Sequence, residues 1–133
     1  MKLYPGKSYF TTEEFQCPCD CGFGEHEEDI EQALIDRLNM MRVLYGKSMV
    51  VTSGARCEEY NASIGGVEHS AHLPHPLHGW CRAVDILVRN GQERLQLVDL
   101  ARTVGIERIG VASNFLHFDV EAELLPTPAM FNY

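Results

Sequence analysis

Two short apolar runs carry charge at their centres, and no other feature constrains this chain so tightly. In Phe115-Leu116-His117-Phe118-Asp119-Val120, alternation along a strand puts Leu116, Phe118 and Val120 on one face and His117, Asp119 and Glu121 on the other. In Ala83-Val84-Asp85-Ile86-Leu87-Val88, Asp85 points away from Val84, Ile86 and Val88. A carboxylate in such a run needs a cation or strong donors, because an unpaired buried charge is costly. A sheet made from these strands therefore has one apolar face and one polar row. A structural Asp–His pair, or a bed of loop amides around Asp85, meets that need as well as a functional site does.

The remaining elements follow from periodicity and punctuation. Thr11-Thr12-Glu13-Glu14 has the form of a capping box and opens a short turn ending near Phe15. Ile30, Leu34, Leu38, Met41 and Tyr45 recur at helical spacing from about Asp29, with Gly46 as the stop. Met49-Val50-Val51-Thr52 reads as a buried strand closed by Ser53-Gly54. A second helix starts at Asn90 or Gly91, places Leu97, Leu100, Ala101 and Val104 on one face, and stops at Gly105. Strands are expected over 83–88, 109–111 and 115–120, and a tail with Pro126 and Pro128 is expected to drape over the surface. Two main helices and about four short strands, without regular alternation, place the chain in the α+β class. At 133 residues it is read as one domain.

Composition removes several classes of function. A formal charge of −8 argues against a nucleic-acid backbone or an anionic membrane surface as partner, since both call for a basic face. No apolar run is long enough to span a bilayer. Residues 1–6 lack the apolar core of a secretory leader, so synthesis in the cytoplasm is expected. The five cysteines cannot all pair within one chain. Cys17, Cys19 and Cys21 are separated by single residues, a spacing less suited to tetrahedral chelation than wider gaps. Buried free thiols are the default reading; a second metal held by Cys19, Cys21 and Cys57, or a cross-link between two of the cysteines, is the alternative.

The long segment 56–82 holds Gly65-Gly66, a helical turn near 58–62, and His69, His72, His75 and His78. A loop of this length inside a small domain is usually functional or disordered. His72 with Asp85 and His117 makes two imidazoles and one carboxylate, the donor set of a catalytic zinc site that keeps its fourth position open. His69, His75 and His78 are the alternatives for the first ligand.

At these residues the chain resembles a known family. Thr52-Ser53-Gly54-Ala55-Arg56-Cys57, Tyr60-Asn61, Gly65-Gly66, Ser70-Ala71-His72, Ala83-Val84-Asp85-Ile86 and Phe115-Leu116-His117-Phe118-Asp119-Val120 occur in order over about residues 8–121. The series is similar to the zinc D-Ala-D-Ala carboxypeptidase / L-alanyl-D-glutamate endopeptidase family, in its small phage and prophage branch. Glu14-Phe15 and Cys17-Pro18-Cys19-Asp20-Cys21-Gly22 resemble that branch's N-terminal segment. The resemblance implies a hedgehog/DD-peptidase fold and zinc on His72, Asp85 and His117. It implies Arg56 as the residue that holds the substrate carboxylate or the developing oxyanion. It implies an endolysin-like peptidase that meets peptidoglycan stem peptides after release to the cell wall; a monomer is expected, with Ser70 as a substrate contact and Trp80 as one that the 73–80 segment would add.

Two departures stand out. The family pattern Ser-x-His-x-x-Gly-x-Ala-x-Asp has a shorter interval from His to Asp than the 13 positions between His72 and Asp85. The short interval would fall on His78, with Pro76 and Cys81 in place of the serine and glycine; otherwise 73–80 is an insertion, a candidate flap carrying Trp80. Several relatives have an acid three residues before the last zinc histidine, where this chain has Asn114. Asp119 is then the nearest general base, or else an anchor for the imidazole, with Glu121 the next acid. The missing acid also leaves open a zinc-bearing binding or phage structural module without chemistry.

Overall fold

Leu34, Ile35, Leu38 and Met41 form the buried stripe of helix α2, Gln32–Tyr45, in a computed structural model that describes residues 8–133. Gly46 ends this helix in the left-handed region at φ 73°. The helix begins later than periodicity suggested, because Glu27–Asp29 forms a 3-10 turn and Ile30 bridges to Cys81 instead of continuing a helical stripe. Glu31 N–H donates to the Cys81 carbonyl at 2.9 Å, so the chain is extended just where the helix was expected to start. Residues 1–6, on which the reading of the leader rests, lie outside the described residues.

Among the described residues there are four α-helices and five strands, the α+β class that the element pattern indicates. Helix α1 is Thr12–Phe15, and Thr11 N–H donates to Glu14 Oε1 at 2.9 Å. Strand β1 is Val51–Ser53, α3 is Glu58–Ser63 and β2 is Ala83–Leu87. Helix α4, Gly91–Thr103, is capped by Asn90, whose Oδ1 accepts from Glu93 N–H at 2.9 Å. It buries Leu97 and Ala101. Strands β3 (Arg108–Val111), β4 (Phe115–Asp119) and β5 (Ala129–Asn132) complete a sheet in the order β1-β2-β4-β3-β5. Among the described strands, β3 and β5 pair in parallel and the other neighbours in the sheet are antiparallel.

One sheet face is apolar. Val84, Ile86, Leu116 and Phe118 are fully buried in a single core with Leu34, Leu38, Met41, Leu97 and Ala101 from α2 and α4. The opposite face carries a row that crosses the sheet: Ser53 pairs with Asp85, Asp85 with His117, His117 with Gly110, and Gly110 with Phe131. Strand parity thus puts Asp85 and His117 side by side.

The tail does not drape. β5 docks on β3 through Ala129 N–H to the Glu107 carbonyl at 2.8 Å and Tyr133 N–H to the Val111 carbonyl at 3.0 Å. A parallel pairing has no hairpin turn to announce it, and the flanking Pro126 and Pro128 read locally as loop.

Arg82 and Glu121 lock the ends of β2 and β4 together in a buried ion pair. Arg82 Nη2 also donates to the Ser70 and Leu73 carbonyls at 3.3 and 3.2 Å. Glu121 Oε2 accepts from the Glu123 and Leu124 amides at 2.6 and 2.7 Å. Burial opposes ionisation of Glu121, but these amides and Arg82 prevail and hold its carboxyl below the ordinary glutamate range. The depressed folded-state value means a contribution fully present above the unfolded-state value and lost as pH falls through the folded one. Glu121→Gln is expected to cost about 3–5 kcal/mol at neutral pH, as breaking a buried pair does. The difference in urea midpoint from wild type should shrink on acidification, and equal midpoints at pH 7 would refute the assignment.

Candidate metal centre

His72 is presented by a loop held at several points. Gly66 lies so close to Asn61 that an added Cβ would sit 2.0 Å from Asn61 Oδ1. Ser70 Oγ accepts from His72 N–H at 3.2 Å, and the His72 carbonyl accepts from Arg56 N–H at 3.0 Å. The ring is then oriented by Gly54, whose carbonyl lies 2.6 Å from His72 Nδ1. A carbonyl only accepts, so Nδ1 carries the proton and Nε2 is left with a lone pair.

His117 is oriented in the same way from its other side. Its Nε2 lies 2.6 Å from Asp119 Oδ2. Asp119 is 1% exposed and takes Arg108 Nε–H at 2.9 and 3.2 Å on its two oxygens, with the Glu121 amide at 3.1 Å. With its oxygens accepting from Arg108 and the Glu121 amide, Asp119 accepts from Nε2–H as well, and the neutral His117 ring then carries its lone pair on Nδ1.

Three acceptor atoms consequently face one another. His72 Nε2 is 3.2 Å from Asp85 Oδ1 and 3.2 Å from His117 Nδ1, and His117 Nδ1 is 3.1 Å from Asp85 Oδ1. All three residues are buried, so their lone pairs call for a shared cation. Tetrahedral zinc with bonds of about 2.0–2.1 Å sets its donor atoms about 3.3–3.4 Å apart, close to this triangle. Burial presses His72 toward the neutral form that ligates metal. At His117 burial acts the same way, but the Asp119 and Asp85 carboxylates outweigh it and hold the imidazole above its ordinary value, so a proton competes with a cation for Nδ1. Burial likewise opposes the charge on Asp85, yet His117 and His72 keep its carboxyl well below the carboxylate range.

Arg56 lies against Asp85 and its neighbours. It donates to Ser53 Oγ at 3.0 Å, Asn61 Oδ1 at 3.3 Å and Asp85 Oδ2 at 3.2 Å. Asp85 is thereby fixed with Oδ1 turned to the histidines, and two of the five guanidinium N–H groups remain. In front lies a cleft of 440 Å³, lined among others by His117, Asp119, Arg108, His69, Phe131 and Tyr133. Ser70 and Glu68 also line it. The Phe131 and Tyr133 rings stand 5.5 and 6.4 Å from the His117 ring. They come this close because Gly110 has no side chain: an added Cβ would lie 2.6 Å from Phe131 and 2.9 Å from His117.

Of the other candidate histidines, His69 lines the cleft without joining the three donors, and His75 and His78 are placed elsewhere. His78 is exposed and stacks on Trp80 at 4.5 Å, and His75 packs against His78 at 4.7 Å. Segment 73–80 closes on itself through His75 N–H to the Trp80 carbonyl and Gly79 N–H to the His75 carbonyl. Trp80 thus lines a separate recess with Glu31, Arg82 and Glu121, and the structure does not bring it to the three donors. Glu121 is engaged with Arg82, and Asn114 is exposed in the β3–β4 turn. Arg108, Phe131 and Tyr133 escaped sequence reasoning. Arg108 leads the β3 strand and pairs across the sheet with Asp119, which was the available signal.

A polar row on an α+β sheet thus sets two oriented imidazoles and a carboxylate beside an open cleft, a donor cluster that could hold a metal ion. The model of the Peptidase M15 family matches residues 8–119, and the chain belongs to that family. M15 peptidases are zinc enzymes, and the donor set fits that metal. No curated protein sequence matches the chain. Among the described residues no helix is long and apolar enough to cross a membrane.

Proposed function

We propose that the protein hydrolyses peptide bonds in peptidoglycan stem peptides, with zinc held by His72, Asp85 and His117, and that it acts on the cell wall. The observation that carries this reading is the convergence of three buried acceptor atoms, each oriented from behind by a partner of its own. When bound, the zinc supplies a Lewis acid for the scissile carbonyl and activates water. Asp119 and Arg108 keep Nδ1 of His117 turned to the metal, and Gly54 does the same for Nε2 of His72. The two N–H groups that Arg56 retains suit a peptide carboxylate or a developing oxyanion. Phe131 and Tyr133 wall the cleft and shield His117 from bulk water. Glu68 and His69 bring titratable side chains to the same cleft for proton transfer. The ordered series of motifs shared with peptidoglycan peptidases supports the choice of substrate.

The test is incubation of the zinc-loaded chain with purified sacculi and with D-Ala-terminated stem peptides, read by mass spectrometry. New fragments are expected, lost with a chelator and restored by zinc. Release of free D-alanine identifies a carboxypeptidase, and cleavage within the stem an endopeptidase. No fragment from fully loaded protein would defeat the reading and leave a binding module.

A further inference from the structure

We propose that Cys17, Cys19, Cys21 and Cys57 form a second metal site, a closed four-thiolate zinc centre that is structural. The expectation of buried free thiols fails for most of this group: Cys19 and Cys21 are exposed and Cys57 is partly exposed. All four sulfurs lie within 4.8 Å of one another. The Cys17–Cys19 and Cys19–Cys57 sulfur distances are 3.4 Å, and Cys17–Cys57 is 3.8 Å. Tetrahedral zinc with Zn–S bonds of about 2.3 Å sets sulfurs about 3.8 Å apart. A polynuclear iron–sulfur cluster would spread its cysteines more widely than one ion does, so the compactness favours a mononuclear site.

The single-residue gaps are overcome by the backbone. Asp20 at φ 61° and Gly22 at φ 96° turn the chain through left-handed conformations, so successive cysteines face inward. The loop closes where Cys17 N–H donates to the Phe23 carbonyl at 2.8 Å. Cys57 arrives from the start of α3, far along the chain. Amides already point at the sulfurs: Cys57 N–H reaches Cys17 Sγ, and Tyr60 N–H reaches Cys57 Sγ, both at 3.4 Å. Amides aimed at sulfur in this way are the outer partners that orient a ligating thiolate. Each ligating thiol gives its proton to solvent as the bond to zinc forms. Thiolate softness selects zinc over hard cations, and four protein donors leave no open position for substrate.

The location explains what the centre does. It ties the 17–24 loop to Cys57, next to Arg56. Gly54, on the same segment, packs so tightly on Phe15 that an added Cβ would lie 2.7 Å from its Cα, and Ala55 N–H donates to the Phe15 carbonyl at 2.7 Å. Residues 54–57 therefore hold both the carbonyl that orients His72 and the guanidinium that orients Asp85, and the thiolate zinc pins this segment.

The test uses the full chain and a count of metal. Wild type is expected to carry two zinc ions, His72→Ala one and Cys19→Ser one. Cobalt(II) reconstitution of wild type and of His72→Ala should give the near-ultraviolet sulfur-to-metal absorption, absent from Cys19→Ser. Should the serine variant misfold, the wild-type readout stands alone: a mercurial reagent should release one zinc as these thiols are titrated, while the other stays. One zinc in wild type and none in His72→Ala would overturn the proposal. So would a disulfide among the four cysteines, iron in place of zinc, or a cobalt spectrum without sulfur absorption. A failure of the peptidase reading leaves the count of two intact, and a failure of the thiolate centre leaves one zinc and its hydrolysis intact.

Discussion

His72→Ala is expected to abolish retention of the His–Asp–His zinc and peptide hydrolysis together, while His78→Ala leaves both near wild type. His72 supplies one corner of a triangle whose sides are 3.1–3.2 Å, and its ring is fixed by a 2.6 Å contact to the Gly54 carbonyl. His78 has no part in that triangle; it is exposed and stacked on Trp80. Removing an outer partner of a ligand weakens metal binding by about 10–100-fold, and removing the ligand itself exceeds that. Competition with a chelator measures the affinity, and turnover on stem peptides the activity. Zinc binding that survives in His72→Ala and fails in His78→Ala would place the insertion on the other side of the ligand.

Asp119→Asn is expected to lower zinc affinity by about 10–100-fold, with turnover recovering at saturating zinc. Sequence reasoning left two roles for Asp119, general base or anchor. Its oxygens accept from His117 Nε2, Arg108 Nε and the Glu121 amide, on the side of His117 opposite Asp85. An asparagine there would turn an N–H₂ group toward one of those donors and loosen the ring. Were Asp119 the general base, the variant would hold its zinc and lose about 10²- to 10⁴-fold in rate. Chelator competition and turnover over a zinc titration separate the two outcomes. Acid should weaken zinc in wild type as well, because protons compete for His72 and His117.

The sequence alone determined whatever depends on near neighbours. Helical spacing sets the stripes of α2 and α4, because a residue's face follows from its position in a 3.6-residue turn. Strand alternation sets the polar row, because Asp85 and His117 cannot share the face of Ile86 and Phe118. The tertiary structure decided what depends on distant approach. The family resemblance already pointed to His72 among the loop's histidines, and the contacts of Ser70, Gly54 and Arg56 are what set its ring beside Asp85 and His117. Sequence reasoning left Asp119 as base or anchor, and only the reach of Arg108 across the sheet favours the anchor. The parallel docking of β5 brings Phe131 and Tyr133 over His117 with no turn in the sequence to signal it. The four sulfurs meet because left-handed residues at Asp20, Gly22 and Gly24 bend the 17–24 loop toward Cys57. Periodicity is a local steric property that any stretch of chain displays, whereas these meetings follow from packing the whole domain around one core.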